Sequence, residues 1–160
     1  MLLPLELFVM LVLANGAPVV VARLMHHRGN WPVDAGRLWP DGRPVFGPSK
    51  TWRGLVSGTL SCLLFAAWVG PGAWFGAAFG LMALFGDLLS SFLKRRMGLG
   101  SSARALWLDQ LPEAVLPMLM AWLWLPLQLW AAAAVAMLFA VSNMLVSPLL
   151  YRLGIRKQPH

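Results

Sequence analysis

The chain has 160 residues, of which 59% are apolar and 12% are charged, and its formal net charge is +7. Soluble domains carry about a quarter charged residues, and a chain of this length has too small an interior to bury so much apolar surface. The composition therefore excludes an ordinary soluble domain and indicates an integral membrane protein. A nucleic-acid partner is not expected, because apolar stretches interrupt the basic residues and leave no continuous basic stripe.

Five apolar stretches are each about long enough to cross a bilayer, which takes roughly 20 residues. They predict an all-α transmembrane bundle that forms a single domain over residues 1–160. The predicted spans are residues 3–25, 54–69, 73–93, 111–125 and 129–151.

The basic residues predict how this bundle lies in the membrane. All thirteen Lys and Arg residues fall within residues 23–53, 94–104 and 152–157, and the other two connections carry no charge. Basic connections stay in the cytoplasm. We therefore expect two large cytoplasmic loops, at about 26–53 and 94–110, with the N-terminus outside and the C-terminus in the cytoplasm. The protein would be a multi-pass protein of the cell inner (cytoplasmic) membrane, with its polar site facing the cytoplasm.

Glycines recur at four-residue spacing, as Gly54 with Gly58 and as Gly72, Gly76 and Gly80. Small residues at this spacing let transmembrane helix backbones approach closely. The pattern indicates close packing between helices of one bundle first, and it could also serve a homodimer.

Asp87 is the most informative acidic residue, because it lies inside the third predicted span, about two helical turns before Lys94. A carboxylate within a membrane span is costly and usually faces the bundle interior or a wet cavity. Asp87 is therefore a candidate site residue. The structural alternative is a hydrogen bond between helices or an ion pair with a nearby Lys or Arg.

Asp109 and Glu113 lie at the start of the fourth predicted span. Either could instead cap that helix or interact with its dipole. Carboxylates at one membrane depth, opposite clustered Lys and Arg, also suit a metal–phosphate substrate. Mg²⁺ takes hard oxygen ligands and keeps places for phosphate oxygens, and Lys and Arg offset the phosphate charge. The arrangement would suit a phosphate substrate bound together with Mg²⁺.

Residues 41–54 combine turn residues with basic residues, in the order Asp-Gly-Arg-Pro-Val-Phe-Gly-Pro-Ser-Lys-Thr-Trp-Arg-Gly. The P-loop spacing is absent. A helix that starts near Thr51 would still point its positive end at an anion. The alternative is an ordinary basic cytoplasmic loop.

Four segments together resemble the CDP-archaeol synthase family, which is similar to the CDP-diacylglycerol synthases. They are Asn15 to Pro18, Asp41 to Gly54, Gly86 to Arg96, and Asp109-Gln110, so the resemblance covers about residues 10–113. It implies a CTP-dependent cytidylyltransferase that moves CMP from CTP onto a lipid phosphate and releases pyrophosphate, with Mg²⁺. Where the family pattern continues with another Asp, this chain has Pro112-Glu113, so either Glu113 replaces that carboxylate or the site differs.

The resemblance also assigns roles to residues. Asp87 and Asp109 would hold the metal, and together with Lys94 they are the predicted catalytic residues. The predicted substrate-binding residues are Asn15, Asp41, Arg43, Lys50, Thr51, Arg53, Ser91, Arg95, Gln110 and Glu113. The lipid phosphate is not identified, since a diether glycerol phosphate, phosphatidic acid and a polyprenyl phosphate all fit.

Two alternatives come from other functional classes. A small transporter or channel would use Asp87 as an ion site, but the expected duplicated broken helix and a second intramembrane charge in the opposite half are not evident. A non-catalytic membrane scaffold with a degenerate site would bind no CTP in the presence of Mg²⁺.

Overall fold

A computed structural model describes residues 2–26, 28–101, 103 and 105–152. These residues form five helices, α1 Leu3–Met25, α2 Trp52–Val69, α3 Ala73–Arg96, α4 Leu106–Trp124 and α5 Leu129–Arg152. Each helix packs against the next in sequence, and α1 also contacts α3 and α5. The predicted all-α bundle is confirmed.

Four of the helices in the described part of the chain, α1, α2, α3 and α5, are long and apolar enough to cross a membrane. Helix α4 is not among them, because Asp109, Gln110, Pro112 and Glu113 lie in its first half. Large apolar side chains on the outside of the bundle are exposed, as at Leu24, Leu64, Leu123 and Leu145. Such a surface suits acyl chains, and the multi-pass membrane assignment holds. The direction in which the chain crosses the membrane stays a prediction.

Two helices begin earlier than the hydropathy pattern predicted. Helix α2 begins at Trp52 because Thr51, in extended conformation, caps it by accepting a hydrogen bond from the Gly54 N–H at 3.4 Å. Helix α4 begins at Leu106, five residues before the predicted span. The first turns of α4 are helical but polar, so hydropathy alone assigned them to the loop.

The glycine pattern is used for packing within the chain. A methyl group at Gly58 would lie 2.5 Å from the Ala14 carbonyl oxygen of α1, and one at Gly76 would overlap the Cys62 carbonyl of α2. One at Gly80 would lie 2.9 Å from the Thr59 Cα. Gly58, Gly76 and Gly80 are thus covered by neighbouring helices of the same chain, which removes the surface that suggested a homodimer. The homodimer itself stays an untested prediction.

The apolar core lies in the half of the bundle next to the uncharged connections, where buried residues such as Leu11, Cys62, Phe79 and Met118 meet. In the opposite half, next to the basic connections, the buried residues are polar or charged, among them Ser91, Lys94, Arg95 and Glu113. The fold therefore separates an apolar half from a polar half.

Gly86 marks the closest approach of α3 to α4, since an added Cβ would overlap the Pro112 carbonyl and the Glu113 backbone nitrogen. Because backbone atoms cannot move aside cheaply, we expect Gly86→Ala to lower the free energy of unfolding by about 1–3 kcal/mol. Thermal unfolding in detergent micelles measures this. Gly16→Ala in α1 is the matched control, because nothing lies within 4 Å of its added Cβ. Equal stability of the two variants would show that α3 and α4 do not pack this closely.

Candidate active site

A cavity of about 650 Å³ opens in the polar half of the bundle. All five helices and the connection between α1 and α2 contribute to its wall. Eleven of the thirteen predicted site residues line it, namely Asn15, Lys50, Thr51, Arg53, Asp87, Ser91, Lys94, Arg95, Asp109, Gln110 and Glu113. The structure thus brings together residues that are almost 100 positions apart in sequence. Their chemical roles remain predictions.

Asp87 of α3 faces this cavity and forms an ion pair with Lys50, which lies at the end of the α1–α2 connection. The Lys50 Nζ lies 2.6 Å from each of the two carboxylate oxygens. Both side chains keep some exposure, 21% for Lys50 and 29% for Asp87. The ion pair that we considered as a structural alternative is therefore present, and it lies inside the cavity.

A second ion pair joins α3 to α4 in the same cavity. The Lys94 Nζ lies 2.5 Å from Asp109 Oδ1 and also donates to the Ala103 carbonyl at 3.3 Å. Asp109 does not precede α4, as the predicted span implied, but lies in its first turn. Its other oxygen accepts a hydrogen bond from the Ala105 N–H at 2.9 Å. Asp109 therefore stabilises the start of the helix and contributes a carboxylate to the cavity.

The far wall of the cavity is formed by an amide and acid cluster on α4 and α5. Asn143 Nδ2 donates to Gln110 Oε1 at 2.8 Å and to Glu113 Oε1 at 3.3 Å. Glu113 is 5% exposed. It lies two turns into α4, so the alternative that it serves the dipole of the first turn is wrong. Its buried carboxylate faces the same cavity as Asp87 and Asp109.

The α1–α2 connection is held in shape by Asp34, which is buried. The Asp34 carboxylate accepts hydrogen bonds from the backbone N–H groups of Gly36, Phe46 and Gly47 at 3.0, 2.9 and 2.8 Å. Burial raises the pKa of Asp34, but these hydrogen bonds outweigh it, and the pKa lies below its usual value. The carboxylate thereby fixes the segment that presents Lys50.

We expect the α1–α2 connection to loosen in acid. A carboxyl group with a lowered pKa in the folded state adds stability above its unfolded pKa of about 4, and this stability is lost as the pH falls through the folded value. The protection of the Gly36, Phe46 and Gly47 amides from hydrogen exchange, relative to the intrinsic rate at each pH, should therefore fall below about pH 4. Asp34→Ala should show fast exchange already at pH 7 and lose about 1–3 kcal/mol, because three N–H groups lose their acceptor. Slow exchange in this variant would contradict the assignment.

Thr51 and Arg53 fix the start of α2. Thr51 caps α2, and the Arg53 Nη1 donates to the carbonyls of His26 and Arg28 at 2.9 and 2.7 Å. These acceptors lie at the C-terminal end of α1, where a cation is favourable. Arg53 thus has a structural role while it lines the cavity, and the positive end of α2 borders the cavity as predicted.

Asp41 and Arg43 are the two predicted substrate-binding residues that the structure does not bring to the cavity. Arg43 Nη1 donates to the Arg96 carbonyl at 2.8 Å, at the end of α3, and Asp41 pairs with the Arg96 side chain at 2.5 Å. The Arg96 guanidinium also lies 5.0 Å from the centre of the Phe92 ring. These contacts fasten the α1–α2 connection to the end of α3, so both residues position the cavity wall from outside.

Five polar cavity residues were not predicted as site residues: Arg23, His26, Asn30, Ser49 and Asn143. Asn143 carried the clearest sequence signal, because it is an amide inside an otherwise apolar span, where polar groups face the bundle interior. The other four lie at the end of α1 or in the following connection, where polar residues are common and their pattern carries no specific signal.

Comparison with known proteins agrees with this architecture. Residues 3–70 and 73–160 match the model of the CarS-like family, described as CDP-archaeol synthase. The chain belongs to the CDP-archaeol synthase family. The resemblance noted in the sequence is thereby confirmed over almost the whole chain.

Several members of the CDP-archaeol synthase family are similar to this chain in sequence. One from Hyperthermus butylicus is 43% identical over 104 residues, which cover 61% of this chain and 59% of that protein. One from Thermococcus onnurineus is 40% identical, and the match covers 61% of its length. The chain thus spans about three-fifths of the length of these two relatives. One from Thermococcus kodakarensis is 32% identical over 162 residues, which cover 91% of this chain and 88% of that protein.

A solved structure shares the fold. It is described as an intramembrane enzyme for archaeal membrane lipids biosynthesis, and it is 28% identical in sequence with a TM-score of 0.68. The match covers 86% of this chain and 90% of that chain. The fold of this chain is therefore also found in an intramembrane enzyme.

Proposed function

We propose that this chain is a cytidylyltransferase that transfers CMP from CTP to a lipid phosphate and so forms a CDP-lipid and pyrophosphate. Its relatives are named CDP-archaeol synthases. The single observation that carries the proposal is the composition of the cavity. It brings three carboxylates, those of Asp87, Asp109 and Glu113, to the same space as five basic side chains, those of Arg23, Lys50, Arg53, Lys94 and Arg95.

This composition suits a reaction between two phosphate compounds. A nonbridging oxygen of the lipid phosphate attacks the α-phosphorus of CTP, and a new P–O bond forms. The bond from the α-phosphorus to the oxygen that bridges to the β-phosphate breaks, and pyrophosphate leaves with that electron pair. The protein has little covalent work in such a transfer, so its residues act by positioning the reactants and stabilising negative charge.

The donor atoms of the cavity fit Mg²⁺, the cofactor that the family resemblance implies. No group of three His, Cys, Asp or Glu side chains gathers closely enough for an all-protein metal cage among the described residues. Mg²⁺ does not need one, because it is commonly held by one or two carboxylates together with substrate phosphates and water. Asp87 and Asp109 would supply the carboxylates, and the ion would neutralise charge on the transferred phosphoryl group.

The cations of the cavity would hold the phosphates. Arg95 is 5% exposed and donates to the Gly100 carbonyl at 2.7 Å, so its guanidinium is fixed in place. Lys94 is 8% exposed, and a buried cation interacts strongly with an anion because little water screens it. Lys50 and Arg53 line the cavity next to the positive end of α2, which also favours an anion. Two phosphate compounds could thus be held between α2 and α3.

We also propose that the cavity lies on the cytoplasmic side of the cell inner membrane. Its wall includes residues of the α1–α2 connection and Ala103 of the α3–α4 connection, next to Lys94 and Arg95 at the end of α3. Basic connections stay in the cytoplasm. A site on that side of the membrane would have access to CTP. Asp87, inside α3, lies about 10 Å along the helix axis from Lys94, so the cavity reaches from the loops into the membrane-spanning part. A soluble nucleotide and a lipid headgroup could meet there.

Membership of the CDP-archaeol synthase family favours the enzyme over a transporter or a scaffold. Incubation of the purified chain with CTP labelled at the α-phosphate, Mg²⁺ and a panel of lipid phosphates tests the proposal. The panel holds a diether glycerol phosphate, phosphatidic acid and a polyprenyl phosphate, each in mixed micelles. We expect label in a CDP-lipid with one of the three and none without Mg²⁺. Label in no lipid, together with no binding of CTP, would exclude the proposed function.

A further inference from the structure

We infer that Lys50 and Lys94 are exchangeable counter-ions, which neutralise Asp87 and Asp109 until a divalent cation and a nucleotide triphosphate bind together. This inference rests on the proposed function. It concerns the order and coupling of binding, which the proposed reaction leaves open.

Lys50 and a divalent cation cannot both bind Asp87 closely. The Lys50 Nζ contacts both Asp87 oxygens at 2.6 Å. A divalent ion on the same carboxylate would bond its oxygens at about 2.0–2.1 Å. The ammonium group and the ion would then be close neighbours in a partly buried site, where like charges repel strongly. The ion can therefore bind Asp87 well only after Lys50 has moved away.

The second pair repeats the arrangement from another part of the chain. The Lys94 Nζ lies 2.5 Å from Asp109 Oδ1, and its side chain is 10% exposed. A buried ammonium group that loses its carboxylate partner is costly unless another anion replaces it. A phosphate group in the cavity can be that anion, because Lys94 and Asp109 both line it. Release of each lysine from its carboxylate thus requires an anionic ligand.

The two exchanges depend on each other. The divalent cation needs carboxylates that the lysines hold, and the lysines need phosphates before they release the carboxylates. A triphosphate with its cation satisfies all four groups at once, whereas either ligand alone leaves two like charges together. The cation and the nucleotide should therefore bind with positive coupling, and such coupling is reciprocal.

Equilibrium binding to the purified full chain in detergent tests this, with Mn²⁺ as the probe and free Mn²⁺ read from its paramagnetic resonance signal. Lys50→Met keeps the unbranched shape of the side chain up to its terminal nitrogen and removes its charge. Without nucleotide, we expect this variant to bind Mn²⁺ at least about tenfold more tightly than the wild type, because no ion pair has to be broken. With Mn²⁺ present, it should bind CTP at least about tenfold more weakly, because a phosphate partner is lost. Lys94→Met should change both affinities in the same directions.

Arg37→Met is the matched control, since Arg37 is an exposed residue of the same connection outside the cavity. It removes one positive charge and should leave both affinities within about twofold of the wild type, since exposed charges are screened. Lys50→Met and Lys94→Met overturn the inference if Mn²⁺ affinity stays unchanged or falls. They also overturn it if CTP affinity is retained, because the lysines would then serve only as structural partners. If the wild type itself does not bind CTP with Mn²⁺, the proposed function fails instead.

Discussion

Asp87→Asn should abolish CMP transfer to lipid phosphate, with a fall of at least about 10³-fold, while the helical bundle remains folded. The substitution keeps the shape of the side chain and one oxygen acceptor but removes the negative charge. Asp87 is the only acidic residue within the described part of α3, and its partner Lys50 comes from a loop. No other carboxylate on that helix can replace it. Transfer of labelled CMP and thermal unfolding, measured on the same preparation, separate loss of activity from loss of fold.

Glu6→Gln is the control for the effect of removing a carboxylate from this chain. Glu6 lies near the start of α1, in the opposite half of the bundle from the cavity. We expect its activity to stay within about twofold of the wild type, as for a surface substitution away from the site. If Asp87→Asn retains activity within about tenfold, Asp87 does not act on the phosphates, since loss of one electrostatic stabiliser costs more than that.

Asp109→Asn should lower transfer by about 10²–10³-fold, because it removes the second carboxylate of the cavity. The amide oxygen of Asn can still accept the Ala105 N–H that Asp109 accepts at 2.9 Å. The start of α4 should therefore be retained. Lys94 is buried and would lose its partner, so we expect a loss of about 1–3 kcal/mol in the free energy of unfolding as well.

Asp109→Ala separates the two roles of this residue. It removes the helix contact as well as the charge, so it should be less stable than Asp109→Asn by about 0.5–2 kcal/mol. Its remaining activity should be equally low. If Asp109→Asn is fully active and only Asp109→Ala is impaired, Asp109 serves the helix alone and has no part in the chemistry.

The helices of this fold could be predicted from composition because each membrane-spanning stretch needs an apolar exterior. The predicted helix boundaries were wrong where a helix faces the cavity or the loops and no longer needs an apolar exterior. Helix α4 begins at Leu106 and runs through Asp109 and Gln110, which face the cavity and are polar for that reason. Hydropathy detects the apolar residues that face lipid, so it assigns such a polar turn to a loop. The start of α2 was misplaced by two residues because its cap, Thr51, acts through a local hydrogen bond.

The location of most site residues followed from the cost of polar groups in a membrane and from the family resemblance. Asp87 was evident because a charge inside a span needs a partner, and Lys94 followed from the family resemblance. Asp41 and Arg43 belong to the same sequence motif as Lys50, yet they contact the end of α3 outside the cavity. A motif records that residues recur together, and it does not separate those that face a ligand from those that hold the loop. Only the tertiary contacts show this difference.

A structure of the chain with Mn²⁺ and CTP, in which anomalous scattering locates the metal, tests the central claim most directly. That claim is that carboxylates from α3 and α4 meet one nucleotide in one cavity. We expect Mn²⁺ within about 2–2.5 Å of an oxygen of Asp87 and of an oxygen of Asp109 or of a CTP phosphate. Lys50 and Lys94 should lie against the phosphates. A metal and nucleotide bound elsewhere on the protein, with both aspartates still paired to their lysines, would contradict the account.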